Sequence, residues 1–513
     1  MESKKKILIT VIVCGIAFAI NYLINFFITK HITSNIGTDA YGFVTLAKTM
    51  SSYALIATLA LNSYAARFVS VEYHKGHLEK AKIFFNSVFF GDLILGIGLL
   101  CVGGIVLLFS KKWFLIPDNI VDDVKFLFLL IFINLFIDLA GTAFQSAAYI
   151  KNKLHLSYAI KCVAYLIEGL FLIISFSAFK PRVSYVGAGL IVATIFCLVS
   201  NVIVSRFFVP ELTINRKHFR CSAVKQLVVN GVWNSLNSLG NTLNSGLDLI
   251  VTNSLLGAIS MGNVSVVKTT TAIFNGLFQM AAHPFQPIFL KKYASGEKKS
   301  LLESMQYSMK FCGLISNLAF AEVVALGPYY YKLWVPNLDA ILLYRLSIVG
   351  VASSIIEGAV YPLFYIYTLT IKNKVPCLIT IAGGVLNVVG MYILINHSFI
   401  GVYAVFLTTT VVMTFINGIT NPIYMARCLK LKLSYFYPIL LRHLFSCAII
   451  TNTLYFLSLF FKISSWITFI IAGIILAVVG GFEHVIIMFG FRHVKRRIFC
   501  SKIIQNNING DGA

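Results

Sequence analysis

Apolar residues in this chain occur in long runs that are separated by short polar segments. A helix needs about 20 predominantly apolar residues to cross a bilayer, and runs of that length follow one another almost from end to end. The pattern predicts about fourteen transmembrane helices, at approximately 7–29, 43–66, 83–108, 124–149, 155–179, 185–207, 226–256, 262–285, 306–331, 340–368, 375–396, 399–425, 437–461 and 465–489. The intervals between these runs are too short for a separate soluble domain.

Composition supports the same class of protein. Hydrophobic residues make up 58% of the chain and charged residues only 12%, whereas an ordinary globular domain carries about 25% charged residues. A water-soluble fold of 513 residues could not bury so much apolar surface. The ten cysteines form no Cys-x-x-Cys pair, so we interpret them as small apolar residues rather than as zinc ligands or disulfides.

The formal net charge is +23, which in a soluble protein would suggest a nucleic-acid partner. Here the lysines and arginines lie between the apolar runs. If the N-terminus is cytoplasmic and the chain alternates sides, 28 of the 42 fall in inside segments and 8 in outside segments. Cytoplasmic loops of membrane proteins carry this excess, so we expect both termini in the cytoplasm and no nucleic-acid partner.

An internal repeat runs through the first twelve predicted helices. Seven residues have counterparts 220 positions later: Asn21, Gly37, Gly42, Lys48, Thr49, Tyr73 and Gly76 match Asn241, Gly257, Gly262, Lys268, Thr269, Tyr293 and Gly296. Ile150–Lys153 recurs as Ile371–Lys374. Because six helices are an even number, the two copies share one orientation, and a pseudo-twofold axis along the membrane normal is expected, with a cavity between the copies.

These observations predict an all-α polytopic membrane protein of about fourteen helices, built from two six-helix repeats and two extra helices. The expected parts are an N-terminal six-helix bundle at 1–210, a cytoplasmic inter-repeat loop at 211–225, a C-terminal six-helix bundle at 226–430, two additional helices at 431–490 and a basic cytoplasmic tail at 491–513.

Amide side chains form a stripe along the seventh predicted helix. The residues are spaced 4, 3, 4, 3 and 4 apart, which places them on one helical face: Asn230, Asn234, Asn237, Asn241, Asn244 and Asp248. Hydrogen bonding between packed helices would explain such a stripe, but six polar groups in register favour a hydrated wall that lines a substrate path. Asn21 and Asn25 on the first helix form a shorter counterpart.

Lys48 and Lys268 occupy equivalent places in the two repeats, one or two turns inside the outer end of their helices. They could extend to the outer headgroups, or they could face each other across the cavity as two cations. The second arrangement suits an anionic substrate, since lysine binds phosphate as a point charge. Arg345 on the tenth helix is a candidate third cation.

Several carboxylates also lie inside predicted helices, where a lipid-facing charge would cost about 2.5–3.5 kcal/mol. Each could carry a coupling ion or pair with a buried cation, and the pattern leaves both roles open. The candidates are Asp138, Glu168, Asp248, Glu322 and Glu357, with Asp92 and Glu483 ranked lower.

We find no P-loop, nucleophile elbow or metal-ligand spacing in the sequence. The chain is therefore predicted to be a transporter rather than an enzyme, with no cofactor and no metal. Transport would draw on an ion gradient, the membrane potential or the substrate gradient.

The sequence resembles the superfamily of multidrug, oligosaccharidyl-lipid and polysaccharide flippases. The likeness is carried by Asn35–Phe43 after the first helix, by Leu247–Lys268 in the second repeat, by the loop at Lys372 and by Ile400–Tyr403. It looks closest to the polysaccharide branch, whose Wzx-type members move undecaprenyl-pyrophosphate-linked repeat units across the bacterial inner membrane.

That resemblance implies a flippase for lipid-linked oligosaccharides of O-antigen, capsule or another surface polysaccharide, working by alternating access. The implied partners are the lipid-linked substrate, membrane lipids and a polymerase or glycosyltransferase. An ion-coupled multidrug or cation antiporter of the same superfamily is one alternative. A non-transporting membrane partner of a polysaccharide synthase complex is another.

The predicted orientation is tested by labelling single cysteines placed in a cysteine-free background. We expect a membrane-impermeant maleimide to label Lys180→Cys in intact cells and to spare Lys217→Cys, because the charge bias places the second position in the cytoplasm. If Lys217→Cys alone were labelled, the orientation of the protein would be the opposite of the predicted one. Permeabilised cells, in which both positions should react, serve as the control.

Overall fold

The structure is a computed structural model, and it describes residues 2–151, 153–370 and 372–490. The predicted basic tail at 491–513 lies outside the described residues. So do Asn152 and Ile371, one from each copy of the repeated Ile-Lys-Asn-Lys segment.

Over the described ranges the chain is helical, without a β-strand. The first half contains α1 (Glu2–Asn35), α2 (Thr38–Asn62), α3 (Ala65–His74), α4 (Leu78–Trp113), α5 (Val121–Thr142), α6 (Ser146–Ile150), α7 (Leu154–Ala178) and α8 (Ser184–Phe208). The second half contains α9 (Cys221–Ser245), α10 (Asp248–Ala282), α11 (Phe285–Ala294), α12 (Lys298–Trp334), α13 (Ala340–Val351), α14 (Ser354–Val360), α15 (Tyr365–Thr370), α16 (Lys374–His397), α17 (Tyr403–Phe415), α18 (Asn421–Cys428), α19 (Tyr437–Ser458) and α20 (Trp466–Phe489).

Thirteen helical stretches of the described chain are long and apolar enough to cross a membrane. One of them, Cys221–Ala282, is 62 residues long and contains both α9 and α10, so it is long enough for two crossings. The prediction of an all-α polytopic membrane protein with about fourteen transmembrane helices is confirmed.

The chain divides into two compact units. The first unit contains the described residues up to Thr269 together with Cys377–Val405, and the second contains Thr270–Pro376 and the described residues from Phe406 onward. The first unit therefore includes α9, the first part of α10 and most of α16, which the sequence assigns to the second repeat. The predicted boundaries of the two repeats, 1–210 and 226–430, come from sequence similarity and not from these compact units. They stay a prediction.

Each unit has its own apolar core. In the first unit, Phe85 on α4, Leu61 on α2 and Leu227 on α9 are fully or almost fully buried in one cluster. In the second unit, Phe289 on α11 and Met425 on α18 are buried in a comparable cluster. Burial of large side chains at these points fixes the helices that carry the polar residues described below.

The two copies of the sequence repeat, 220 positions apart, also share local backbone structure. Gly76 and Gly296 both have positive φ angles, of 79° and 73°, in the turns that follow α3 and α11. The amide of Gly76 donates to Tyr73 O at 3.1 Å, and the amide of Gly296 donates to Tyr293 O at 3.2 Å. Only glycine adopts this conformation at little cost. The repeated Tyr-x-x-Gly spacing therefore predicts that α3 and α11 end in the same type of turn.

Two further repeated glycines bring α2 and α10 together in the first unit. A methyl group built on Gly42 would lie 3.0 Å from the amide nitrogen of Gly262, and one built on Gly262 would lie 2.2 Å from Thr38 O. Small residues permit this close approach of helix backbones in membranes. The side chains of Tyr41 and Thr269 join the same two helices by a hydrogen bond of 2.8 Å.

Substitution of Gly262 tests this contact. We expect Gly262→Ala to destabilise the protein by about 1–3 kcal/mol, because the added methyl forces the backbones apart. Gly98→Ala on α4 is the matched control, since a methyl group there meets no atom within 4 Å. The measurement is the melting temperature of the purified protein in detergent. Equal melting temperatures for the two variants would contradict the close approach.

Candidate functional site

The candidate site lies in the first unit and is built around the two repeated lysines. Lys48 is on α2 and Lys268 is on α10, and each follows its contact glycine, Gly42 or Gly262, by six residues. The helix contact described above therefore sets the height of both lysines along their helices. Both side chains are partly buried.

Lys268 forms an ion pair with Asp248. Its Nζ lies 2.8 Å from Asp248 Oδ2, and the two side chains are only 18% and 5% exposed. The other carboxylate oxygen of Asp248 is buried and has no hydrogen-bond partner among the described residues. Lys268 is therefore paired with a carboxylate in this structure. The two roles predicted for Lys48 and Lys268, contact with the outer headgroups or two cations that face each other, stay predictions.

The single helix predicted at 226–256 is wrong, because the helix breaks at Gly246 and Leu247. α9 ends at Ser245, and Asp248 starts α10. The hydroxyl of Tyr53 on α2 donates a hydrogen bond to Gly246 O, a carbonyl at the break. Interruptions of transmembrane helices persist where neighbouring groups satisfy the freed backbone. The break also puts the Asp248 carboxylate in a first helical turn, where the helix dipole favours a negative charge.

A second glycine, Gly257, divides α10 itself. Its φ angle of 86° is non-helical, and Gly37, its counterpart between α1 and α2, has a φ angle of 141°. The segment from Asp248 to Leu256 is thus a short helix between two interruptions. It carries Asp248 toward Lys268 on the next segment, twenty positions along the chain.

In the structure, the predicted polar stripe consists of an exposed part on α9 and a buried part at the helix break. Asn230, Asn234, Asn237 and Asn241 are exposed on α9. Asn244 is buried, and its Nδ2 donates to Thr380 O on α16 at 2.8 Å and to Gly240 O at 2.9 Å. The backbone carbonyl of Asn244 accepts a hydrogen bond of 2.8 Å from Asn387 Nδ2. Asn244 therefore joins α9 to α16, as interhelical hydrogen bonding would predict, while the lining role of the other four stays a prediction.

Lys48 has polar neighbours on α1 and α7. Its Nζ donates to Asn25 Oδ1 at 3.0 Å, and Asn25 Nδ2 donates in turn to Asn21 Oδ1 at 3.1 Å. Glu168 on α7 is 3% exposed, and its charge acts on Lys48. The sequence predicts Asn21 and Asn25 as one polar set, and the structure joins this set to Lys48 by hydrogen bonds.

The remaining candidates lie elsewhere. Asp138 is exposed on α5 of the first unit, and the charge of Lys161 acts on it. Arg345, Glu322 and Glu357 belong to the second unit, where Arg345 is exposed and both glutamates are half-buried. The ion pairs of the described chain include neither glutamate. Their roles stay predictions.

Sequence reasoning missed Tyr53 and Asn387. Tyr53 contacts the helix break from α2, and Asn387 contacts the end of α9 from α16. Neither residue has a counterpart in the repeat, so no periodic signal marked them. Groups of histidine, cysteine and carboxylate side chains suited to a metal ion are absent from the described residues.

Comparisons with known proteins agree with this architecture. No protein-family model matches the chain. The chain is 24% identical over 440 residues to the "Uncharacterized membrane protein EpsK" of Bacillus subtilis (strain 168), covering 86% of this chain and 87% of that protein.

Among solved structures, an inward-facing MATE family multidrug transporter of the MOP superfamily superposes with a TM-score of 0.64 at 14% identity, over 81% of this chain and 99% of that one. The lipid II flippase MurJ in an inward closed conformation superposes with a TM-score of 0.62 at 15% identity, over 91% and 98%. This chain has their fold. At these identities the likeness extends to the fold and not to the substrate.

A double-mutant cycle tests the Lys268–Asp248 pair. We expect Lys268→Ala to cost about 3–5 kcal/mol of stability, because it leaves a buried carboxylate without its cation. Combining Lys268→Ala with Asp248→Asn should cost clearly less than the sum of the two single changes. The free energies of unfolding are measured in mixed micelles.

Lys111 and Asp118 are the matched control for that cycle, since their pair is 57% and 95% exposed. Exposed pairs contribute about 0.2–1 kcal/mol. A coupling energy for Lys268 and Asp248 as small as that of the control would show that the buried pair does not form.

Proposed function

We propose that the protein is a flippase that moves lipid-linked oligosaccharides, carried on undecaprenyl pyrophosphate, across the bacterial inner membrane. The observation that carries the proposal is the placement of Lys48 and Lys268 at equivalent repeat positions inside the membrane-spanning part of a single unit. The fold shared with the lipid II flippase MurJ supports a lipid-linked cargo.

A pyrophosphate brings concentrated negative charge, which is costly to move through hydrocarbon. Lysine side chains offset that charge and bind phosphate oxygens without demanding one fixed geometry. Lys268 is held by Asp248 before the anion arrives, and the phosphate would replace the carboxylate as its partner. The exposed asparagines of α9 would then offer amide donors and acceptors to the sugars.

The long isoprenoid tail would stay in the bilayer through a lateral opening, so only the head group needs the polar path. Alternating exposure of that path to the two faces of the membrane is the mechanism known for transporters with parallel repeats. Both termini would be cytoplasmic. A polymerase or glycosyltransferase would supply or consume the cargo.

An ion-coupled antiporter of organic cations is the second candidate. It is favoured by the likeness to MATE multidrug transporters and by the two buried carboxylates, Glu168 and Asp248, next to the lysines. In that function the carboxylates would bind the cargo and the lysines would be displaced. The two candidates therefore assign opposite charges to the groups that contact the substrate.

Flipping in liposomes distinguishes the candidates. We expect the purified protein to move a fluorescent undecaprenyl-pyrophosphate oligosaccharide, as measured by the fraction of probe that an external quencher reaches. The combined change Lys48→Ala, Asp248→Asn and Lys268→Ala should reduce the rate at least tenfold. This set removes the Asp248 carboxylate together with Lys268, and Glu168→Gln is added to it so that Lys48→Ala leaves no buried carboxylate unpaired.

Lys111→Ala with Lys112→Ala is the matched control, since both lysines are exposed at the end of α4, and its rate should equal that of the unmodified protein. Transport of a cationic dye in place of the lipid would favour the antiporter. Transport of neither probe would favour a non-transporting partner of a synthase. Full flipping by the combined variant would show that the lysines do not belong to the site.

A further inference from the structure

A fully buried carboxyl group lies in the first unit, away from the lysine site. Asp92 on α4 is 0% exposed, and its Oδ1 accepts a hydrogen bond of 2.8 Å from the Nδ2 of Asn62, the last residue of α2. Fourteen residues separate Asn62 from Lys48, which is about 21 Å along a helix. The pair is therefore distinct from the proposed substrate site.

Each residue of this pair has one buried oxygen atom that lacks a hydrogen-bond partner among the described residues. Asp92 Oδ2 and Asn62 Oδ1 are both buried, and neither has a hydrogen-bond partner among the described residues. If Asp92 is ionised, both atoms are acceptors and both stay unsatisfied. Buried polar atoms are rarely left in that state, and each such case needs an explanation.

A single proton on Asp92 supplies the hydrogen-bond donor that the two buried oxygen atoms lack. A protonated Asp92 carries a hydroxyl that can donate to Asn62 Oδ1, while Asn62 Nδ2 continues to donate to Asp92 Oδ1. The acid and the amide then form a closed pair with two hydrogen bonds, and no charge is buried. We propose that Asp92, together with Asn62, is a proton-binding site, with Asp92 held as a neutral carboxylic acid in this conformation.

The surroundings of Asp92 favour the neutral form. The ion pairs of the described chain do not include Asp92. Complete burial disfavours the charged form of Asp92, and the titratable group that acts on it from α5, Asp138, is also an acid. Next to Asp92, Gly91 faces the apolar side chains of Leu61 on α2 and Val224 on α9.

A bound metal cation would explain the two unsatisfied oxygens less well. Calcium takes six to eight oxygen ligands, and magnesium requires a complete octahedral shell. Asp92 and Asn62 offer two unused oxygen atoms, and no metal-ligating group of three or more acidic, histidine or cysteine side chains occurs in the described chain. A proton needs only the donor and acceptor that the pair provides.

Infrared difference spectroscopy tests the proposal on the full-length protein in potassium buffer at pH 7. We expect the spectrum of the unmodified protein minus that of Asp92→Asn to contain the carbonyl band of a protonated carboxylic acid, and this band should shift in heavy water. The amide introduced by Asp92→Asn can make both hydrogen bonds of the neutral pair, so the melting temperature of this variant should match that of the unmodified protein.

Asp122→Asn is the control, since Asp122 is exposed at the start of α5, and its difference spectrum should contain only an ionised carboxylate band. Asn62→Leu is the second variant. It keeps Asp92 but removes the amide, so the acid band should move to the frequency of a carbonyl without a hydrogen bond. Absence of the acid band from the Asp92→Asn difference spectrum, or an ionised carboxylate band in its place, would overturn the proposal. An acid band that disappears when sodium replaces potassium would show a cation site instead.

Discussion

Inside a bilayer, a charged side chain or a broken helix persists only where protein groups replace the missing water. Both cases occur together in the first unit, where Asp248 pairs with Lys268 and Tyr53 donates a hydrogen bond to the carbonyl of Gly246. The interruption of the helix and the buried charge are linked, because the break creates the helix start that carries Asp248. A continuous helix would place this carboxylate in a helix interior, without the favourable field of a helix start.

The repeated glycines determine how closely the two helices that carry the lysines approach each other. Gly42 and Gly262 let α2 and α10 approach closely, and each lysine follows six residues later on its own helix. The lysines nevertheless have different partners, an amide for Lys48 and a carboxylate for Lys268. The repeat has therefore kept the cations and the helix contact while the neighbouring side chains have diverged.

The positions of most helices could be predicted from the sequence, because apolar runs of sufficient length have few alternatives in a membrane. The break at Gly246 could not, since the run around it stays apolar enough for one helix. The heptad-like spacing of the asparagines placed Asn244 and Asp248 on one face only on the assumption of an unbroken helix. The ion pair of Lys268 and the approach of Glu168 to Lys48 depend on tertiary packing, which no local pattern encodes.

In the proposed function, the repeated lysines receive the anionic head group of the cargo. Cryo-electron microscopy of the protein with undecaprenyl pyrophosphate in nanodiscs tests it most directly. We expect phosphate density in contact with the amine of Lys48 or Lys268, with the Lys268–Asp248 distance increased from 2.8 Å. Phosphate density bound elsewhere, with that ion pair intact and Lys48 still bound to Asn25, would contradict it.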